Sequence, residues 1–562
     1  MNKQYDESVP GTNSLGDYVV TNNTVCLDQK GKLVPVMRGV AHVDSIVTDP
    51  ATGKVSFVLA ISPFLKVTPC MVRVASPVLH NKSICDTLTE RGIIVENPSE
   101  AMRYLKESAM QASDLPPREL VKAPCWLADH TAFFTGTKLI MADGVDDKRF
   151  WLETKASSMR TSGEFDIWKQ EVLPLIEANP VMLASCCIGL ASLFLDRLGH
   201  SSSMFNFWGE KGMGKTLGAQ AVASIYGNGI DPAQGARVAN PPFISRFNGT
   251  LNGLEAVLSS QGPAPTLLDE VTEAHALVVS QSVYMLGGGQ GKHRMTTSGA
   301  AAERGSWLTT IMLSAESSIA DIAASSGKSL YGGQADRAVD IPINEVGMIT
   351  AFGEHGSFNA ATGHLKRICA QQYGTAGERL IEYCVNNREQ IEQILAMAPD
   401  IEEQLLPENC GAGERRVVKR MAGAVVAGYI AVMADVFEEG TEDLILEAVK
   451  MVTALWWKSR ASCLERIKIL LENHEESICH GRPKLDRAVS AFIFDDLVVI
   501  PIEVFNREFD DDAQHVLNEL AGLGALKTEQ RGRHVHRFCS NRFRGYAIRA
   551  KKIWPDATLK AA

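Results

Sequence analysis

The pattern of apolar and polar positions changes character several times along the chain. Residues 1–24 are polar and broken by Pro10, Gly11 and Gly16, which predicts a flexible leader. Over 25–150, short strand-like runs such as Val55–Ile61 alternate with helix-period stretches such as Ser99–Gln111, predicting a mixed α/β N-terminal domain. A helical linker is predicted over 160–200, interrupted near Pro174 and Pro180. From Met204 an apolar strand, a glycine-rich turn, a helix through Tyr226 and further apolar runs at Thr266–Leu268 and Leu308–Leu313 predict a layered α/β core over 201–350.

Helix-period segments then dominate 351–480, among them Gly377–Leu395, Arg415–Phe437 and Leu444–Leu471, so this part is expected to be all-helical. After Pro483, residues 481–562 read as a helix, strand Leu497–Ile502, two further helices (the second Asp511–Leu523), strand Ala525–Glu529, a basic turn and strand Val535–Phe538. That order suits a winged helix with a basic tail. No repeat of fixed period and no low-complexity tract is present.

Length agrees with this division, since 562 residues at roughly 150 per domain make about three or four units. The net charge of -10 argues against a surface coated in positive charge, though not against a local basic channel. Twelve cysteines are scattered from Cys26 to Cys539 without a Cys-x-x-Cys pair, so no zinc ribbon or regular disulfide framework is expected. Reduced thiols fit a cytoplasmic protein. The longest apolar run, Val181–Leu195, falls short of the roughly twenty residues of a span and is bounded by Glu177, Asp196 and Arg197. It predicts a buried helix, with no membrane as partner.

The candidate chemistry begins at Gly209-Glu210-Lys211-Gly212-Met213-Gly214-Lys215-Thr216, a match to G-x-x-x-x-G-K-[ST] between a predicted strand and a helix that opens at Leu217. Glycines let backbone N–H groups turn inward around phosphate oxygens, Lys215 reaches the β- and γ-phosphates, and the Thr216 hydroxyl serves Mg²⁺. Residues Gly209 to Leu217 are therefore the candidate ATP site. About fifty residues on, Pro265-Thr266-Leu267-Leu268 ends in Asp269 and Glu270, candidates for the magnesium shell and for polarising the attacking water.

Three further features extend the site. Ser314, at the tip of the Leu308–Leu313 strand, is a candidate nucleotide sensor or simply a strand-capping serine. Arg337, in Gly332-Gly333-Gln334-Ala335-Asp336-Arg337, is a candidate arginine finger for a neighbouring subunit or a surface partner of Asp336. The glycine-rich Gly287-Gly288-Gly289-Gln290-Gly291 leads into Lys292, His293 and Arg294, either a strand-following pore loop or a solvated basic loop.

Near the C-terminus, Arg531, Arg533 and Arg537 belong to a run of nine Lys and Arg between 527 and 552 that faces Glu529 alone. They form a candidate wing for DNA phosphates, with Asp511–Leu523 as the groove helix. A protein-docking module is the alternative.

These motifs together resemble the bacterial and phage family catalogued as domain of unknown function 927, some of whose members look like replicative helicases of mobile elements. The likeness spans about 25–460. It rests on Lys122-Ala123-Pro124-Cys125-Trp126, the phosphate loop, Thr250-Leu251-Asn252-Gly253-Leu254-Glu255-Ala256, Leu267-Leu268-Asp269-Glu270, Gly291-Lys292-His293-Arg294, Leu313-Ser314-Ala315-Glu316 and Gly333-Gln334-Ala335-Asp336-Arg337.

The resemblance implies an AAA+ P-loop ATPase core similar to superfamily 3 and MCM helicases. It also implies a homo-hexamer with ATP and Mg²⁺ between subunits, and a Lys292-His293 pore hairpin on single-stranded DNA. Two departures stand out: family members often read Ser-x-Gly-Glu where this chain has Ser314-Ala315-Glu316, and superfamily 3 enzymes usually use asparagine as the sensor. The primase domain of some relatives is not found, so a separate primase or other replication proteins are expected as partners. The expected function is an ATP-dependent, ring-forming DNA helicase or translocase of a phage or mobile element. A protein remodeller or loader and a DNA-tethered, nucleotide-binding scaffold are the alternatives.

Overall fold

A computed structural model describes residues 13–554 apart from 66, 128, 154–156, 235–239, 248–249, 272–275, 293–303, 326–336, 408–409, 411, 461–462, 482–488, 510–512, 528–534 and 539–542. The chain divides into two units, Met1–Thr453 and Ala454–Ala562.

The first unit opens with a nine-stranded sheet whose main path runs in chain order from Asn13–Leu15 to Cys70–Ala75. Its longest strand, Lys32–Thr48, alternates buried and outward positions over its second half, the period-2 signature of a sheet with one covered face. The cover is the helix Pro98–Ala112, which buries Ala101, Tyr104, Leu105, Ser108 and Ala109 on one stripe and is capped by Asn97 accepting from the Glu100 N–H at 3.2 Å.

The flexible leader expected over 1–24 is not found over its described part, where Asn13–Leu15 and Tyr18–Val20 are paired strands. Tyr18 lies fully buried on Tyr104, with ring centroids 5.3 Å apart, and its hydroxyl donates to Glu100 at 2.8 Å. Tyr18, with Leu15 and Val20 packed against the same core, seats an otherwise polar segment in the sheet.

The Lys122–Trp126 run joins this sheet to the rest of the unit. The Trp126 indole N–H donates to the Leu193 carbonyl at 2.8 Å. Gly262 (φ +70) lies so close beneath Pro124 that a Cβ there would sit 2.2 Å from the Pro124 carbonyl oxygen.

The heart of the unit is a five-stranded sheet of β1 (Ser203–Trp208), β2 (Ser245–Arg246), β3 (Thr266–Asp269), β4 (Thr310–Ala315) and β5 (Ala338–Pro342), in the order β2-β3-β4-β1-β5. All four pairings are parallel. Parallel sheets are covered on both faces, which is why β1, β3 and β4 are buried almost without a break rather than at alternate positions.

Covering helices include α1 (Pro180–Ala191) and α2 (Lys215–Tyr226), with α3 (Leu251–Gln261), α4 (Ala276–Gly288) and α5 (Ile319–Ser325) at the crossovers. Further helices follow from α6 (Phe358–Cys369), among them α7 (Ala412–Met433). Pro174 and Pro180 do not kink helices. They stand in the first turns of Leu173–Glu177 and α1, where their missing N–H costs nothing. α1 is buried along residues 181–191. Among the described residues no single helix is long and apolar enough to cross a membrane; Phe165–Glu177 and Pro180–Phe194 reach the length only as a pair bent by 118°.

The second unit has its own sheet of β6 (Ile478–His480), β7 (Ala491–Phe494), β8 (Leu497–Pro501), β9 (Val535–Phe538) and β10 (Phe543–Arg549), in the order β6-β7-β8-β10-β9. Its core gathers Ile467 from α8 (Cys463–Asn473), Phe505 from α9 (Ile502–Phe509), Val516 and Leu520 from α10 (Ala513–Gly522), and Tyr546 and Ile548 from β10. The strand expected at Ala525–Glu529 is reduced, within the described residues, to a single bridge between Leu526 and Ile548.

Candidate nucleotide site

The loop between β1 and α2 is shaped by its glycines. Gly212 and Gly214 take left-handed backbone at φ +88 and +84, where a side chain would be strained, and Gly214 caps α2. Asn344 holds the loop from behind: its Oδ1 accepts from the Glu210 N–H at 2.8 Å and would lie 2.4 Å from a Cβ at Gly209. Met213 is tied down by the Met348 N–H, which donates to its carbonyl at 3.0 Å.

Lys215, on the first turn of α2, donates to the Gly209 carbonyl and, at 2.6 Å, to that of Glu210. Burial lowers its ammonium pKa from the usual lysine range, opposed by the nearby carboxylates of Glu316, Asp269 and Glu210.

The sheet topology brings distant segments to this loop. Because all five strands run the same way, the carboxyl ends of β1, β3 and β4 open on one edge. There Asp269 collects two hydroxyls: Thr216 donates at 3.3 and 3.4 Å to its two oxygens, and buried Ser314 donates to Oδ1. Ser314 thus orients Asp269. Glu270, next in the chain, has φ +59 and reaches Arg246 of β2 at 3.2 Å.

A cleft of about 610 Å³ joins Lys211, Gly212, Gly214, Lys215, Thr216, Leu217, Asp269, Glu270, Ser314 and Glu316. Its far wall is α6, which presents Phe358, Thr362 and Lys366. Gly209, Glu210 and Met213 shape the loop without lining the cleft. The volume, the glycine loop and the paired Thr216 and Asp269 oxygens suit a nucleoside triphosphate with a divalent cation between those two side chains.

Sequence reasoning missed Arg246, Asn344 and the α6 stripe. The i, i+4, i+8 spacing of Phe358, Thr362 and Lys366 mixes an aromatic, a hydroxyl and an amine, which looks like ordinary helix surface until the helix is known to face a phosphate loop.

Arg337 does not enter this cleft. Its carbonyl accepts from the Met204 N–H at 2.8 Å, so it sits at the start of β5, level with the start of β1. The phosphate loop leaves β1 at the other end, five residues on and roughly 16 Å away at about 3.3 Å per residue.

Between the two ends lies a tie: Asn206 of β1 donates to Asp340 of β5 at 2.7 Å and to the Ser317 carbonyl at 3.3 Å, while Asp340 accepts from the first N–H of α5 at 2.8 Å. Full burial pushes Asp340 up to about 6.

The basic hairpin rises from α4. Gln290 bridges Ser306, and the Gly291 N–H donates to the Gly305 carbonyl at 2.8 Å. Buried Glu255 of α3 packs so closely beneath the stem that a Cβ at Gly291 would sit 1.9 Å from its Oε1. Lys292 is exposed beside that stem; His293 and Arg294 lie outside the described residues, as do Arg531 and Arg533. Arg537 stands on β9.

The fold, with its strand ends converging on a glycine loop, two carboxylates and two hydroxyls, defines a mixed α/β protein built on a parallel-sheet core. Over residues 26–306 the chain matches the family described as Domain of unknown function (DUF927), and it belongs to that family. The solved structure of SCCmec type IV Cch, described as an active helicase, is similar over 96% of this chain and 99% of its own at 17% identity, with a TM-score of 0.61. The A form apo structure of the NrS-1 C terminal region aligns over 91% of this chain and 97% of its own at 13% identity, with a TM-score of 0.30. No curated protein matches the chain.

Proposed function

We propose that this chain is an ATP- and Mg²⁺-dependent DNA helicase or translocase of a phage or mobile element. In this reading the first unit carries an AAA+ core that assembles as a homo-hexamer, and the second is a winged helix. The observation that carries the reading is the convergence of Lys215, Thr216, Asp269 and Glu270 on one cleft while Arg337 stands at the opposite end of the sheet. In this reading Arg337, which does not reach the cleft of its own chain, completes the site of a neighbouring subunit.

Each residue then has a task. Backbone N–H groups of the loop and the Lys215 ammonium hold the β- and γ-phosphates, and Thr216 and Asp269 hold the cation, with Ser314 fixing the Asp269 carboxylate. When bound, Mg²⁺ neutralises charge developing on the phosphate oxygens. Glu270 accepts the proton of the attacking water, and Arg337 from the neighbouring subunit balances the transition-state charge.

The deciding experiment is strand displacement on a forked duplex with ATP, with Lys215→Ala as the nucleotide-binding control. Unwinding by the parent protein and none by the variant is expected. An active, hexameric ATPase that displaces no strand would remove the helicase and leave a remodeller or loader.

The Arg246–Glu270 pair supplies a finer test. Arg246 competes with water for the Glu270 carboxylate, and a half-exposed ion pair is worth about 0.2–1 kcal/mol. Arg246→Ala is therefore expected to raise ATP turnover without DNA by at most about fivefold, read as steady-state phosphate release. A fall in turnover would mean that Arg246 assists the reaction rather than restraining Glu270.

A further inference from the structure

The second unit distributes its charge unevenly, and the two elements that could meet nucleic acid differ in sign. Over 502–522, which contains α9 and α10, Arg507 is the only Lys or Arg, against Glu503, Glu508, Asp510, Asp511, Asp512 and Glu519. α10 contains no lysine or arginine, and three aspartates immediately precede its first residue. A recognition helix approaches DNA with its N-terminal residues. Here the residues leading into that end are acidic, which favours the helix dipole and repels phosphate.

The ribbon of β9 and β10 is the reverse. The run from Lys527 to Lys552, in which it lies, has nine Lys and Arg against Glu529. The register sets Arg537 directly opposite Arg544, and Arg544 is exposed.

The base of the ribbon is nonetheless firmly built. β10 pairs with β8 over Leu497–Pro501, and the Nε2–H of buried His536 donates to the Lys527 carbonyl at 2.5 Å. A Cβ at Gly545 would lie 2.8 Å from the Ile500 carbonyl oxygen, so only glycine admits this close approach. A fixed platform thus carries the exposed Arg544 within a run rich in lysine and arginine.

We infer that the second unit holds DNA by the β9–β10 ribbon, through the phosphodiester backbone and without reading sequence, and that α10 does not enter a groove. This replaces the groove-helix expectation for 511–523 and rests on the DNA-binding part of the proposed function. Cationic contacts to phosphate carry affinity but no sequence information. The helix side chains able to pair with base edges, Gln514 and Asn518, would then be idle.

The test uses the full chain without ATP and two labelled duplexes of equal length and unrelated sequence, with affinity read by fluorescence anisotropy across a salt series. The parent protein is expected to bind both duplexes alike. Arg544→Gln is expected to weaken both by the same factor, about fivefold at 0.15 M salt, and to lower the salt slope by about one. Arg544→Lys, which keeps the charge, should bind like the parent, separating lost contact from lost folding. Gln514→Ala and Asn518→Ala should change neither duplex.

Selective loss on one duplex with either α10 variant would overturn the inference, as would an Arg544→Gln protein with unchanged affinity and salt slope. A parent protein that binds neither duplex would instead remove the DNA-binding reading itself.

Discussion

Glu270→Gln is expected to yield a protein that binds ATP and does not turn it over, with phosphate release reduced about 10²- to 10⁴-fold, the usual contribution of a positioned general base. The glutamine keeps the length and hydrogen-bonding reach of the side chain but cannot take a proton from water. It also inherits the same left-handed backbone at φ +59, so whatever strain the position carries is common to both proteins and the loss does not come from folding. Nucleotide affinity, set by Lys215 and the loop N–H groups, should stay near the parent value. Parent-like turnover in this variant would show that water is activated elsewhere.

Arg337→Ala is expected to cost more, about 10³- to 10⁵-fold in turnover, while nucleotide still binds. The geometry makes a sharper demand than the loss itself. In the proposed ring the arginine of one chain and the carboxylate of the same chain serve different sites, because Arg337 stands level with the start of β1 and the phosphate loop leaves its other end. Mixing Arg337→Ala with Glu270→Gln should therefore restore turnover, because some seams then combine an intact Glu270 with an intact Arg337. Two inactive proteins that stay inactive in every mixing ratio would place both residues in one site or remove Arg337 from the chemistry.

What could be read from the sequence follows from how local each signal is. The phosphate loop is one contiguous run whose glycines, Lys215 and Thr216 have fixed spacing, and Asp269 and Glu270 end a short apolar run that is common by itself and gains its meaning from following that loop. Both are short-range patterns. Arg246 was hidden because β2 is only two residues long and has no period to detect. Phe358, Thr362 and Lys366 face the loop only because β5 returns the chain beside β1, a fact of topology. The start of the chain misled for the opposite reason: its polarity outweighed Tyr18, Leu15 and Val20, which pack on the core and seat it in the sheet. Ser314 was legible as a polar strand tip, but its service to Asp269 depends on β4 lying next to β3.

The contact between Gly287 and Arg337 bears on how this protein can change over evolutionary time. A methyl group at 287 would press to 3.1 Å from the Arg337 Cβ and Cδ, and the same glycine stands one residue from the end of α4, where the basic hairpin departs. One missense change at that position would disturb both Arg337 and the stem that leads into Lys292. Drift at 287 is therefore constrained by two partners at once, neither of them its own side chain.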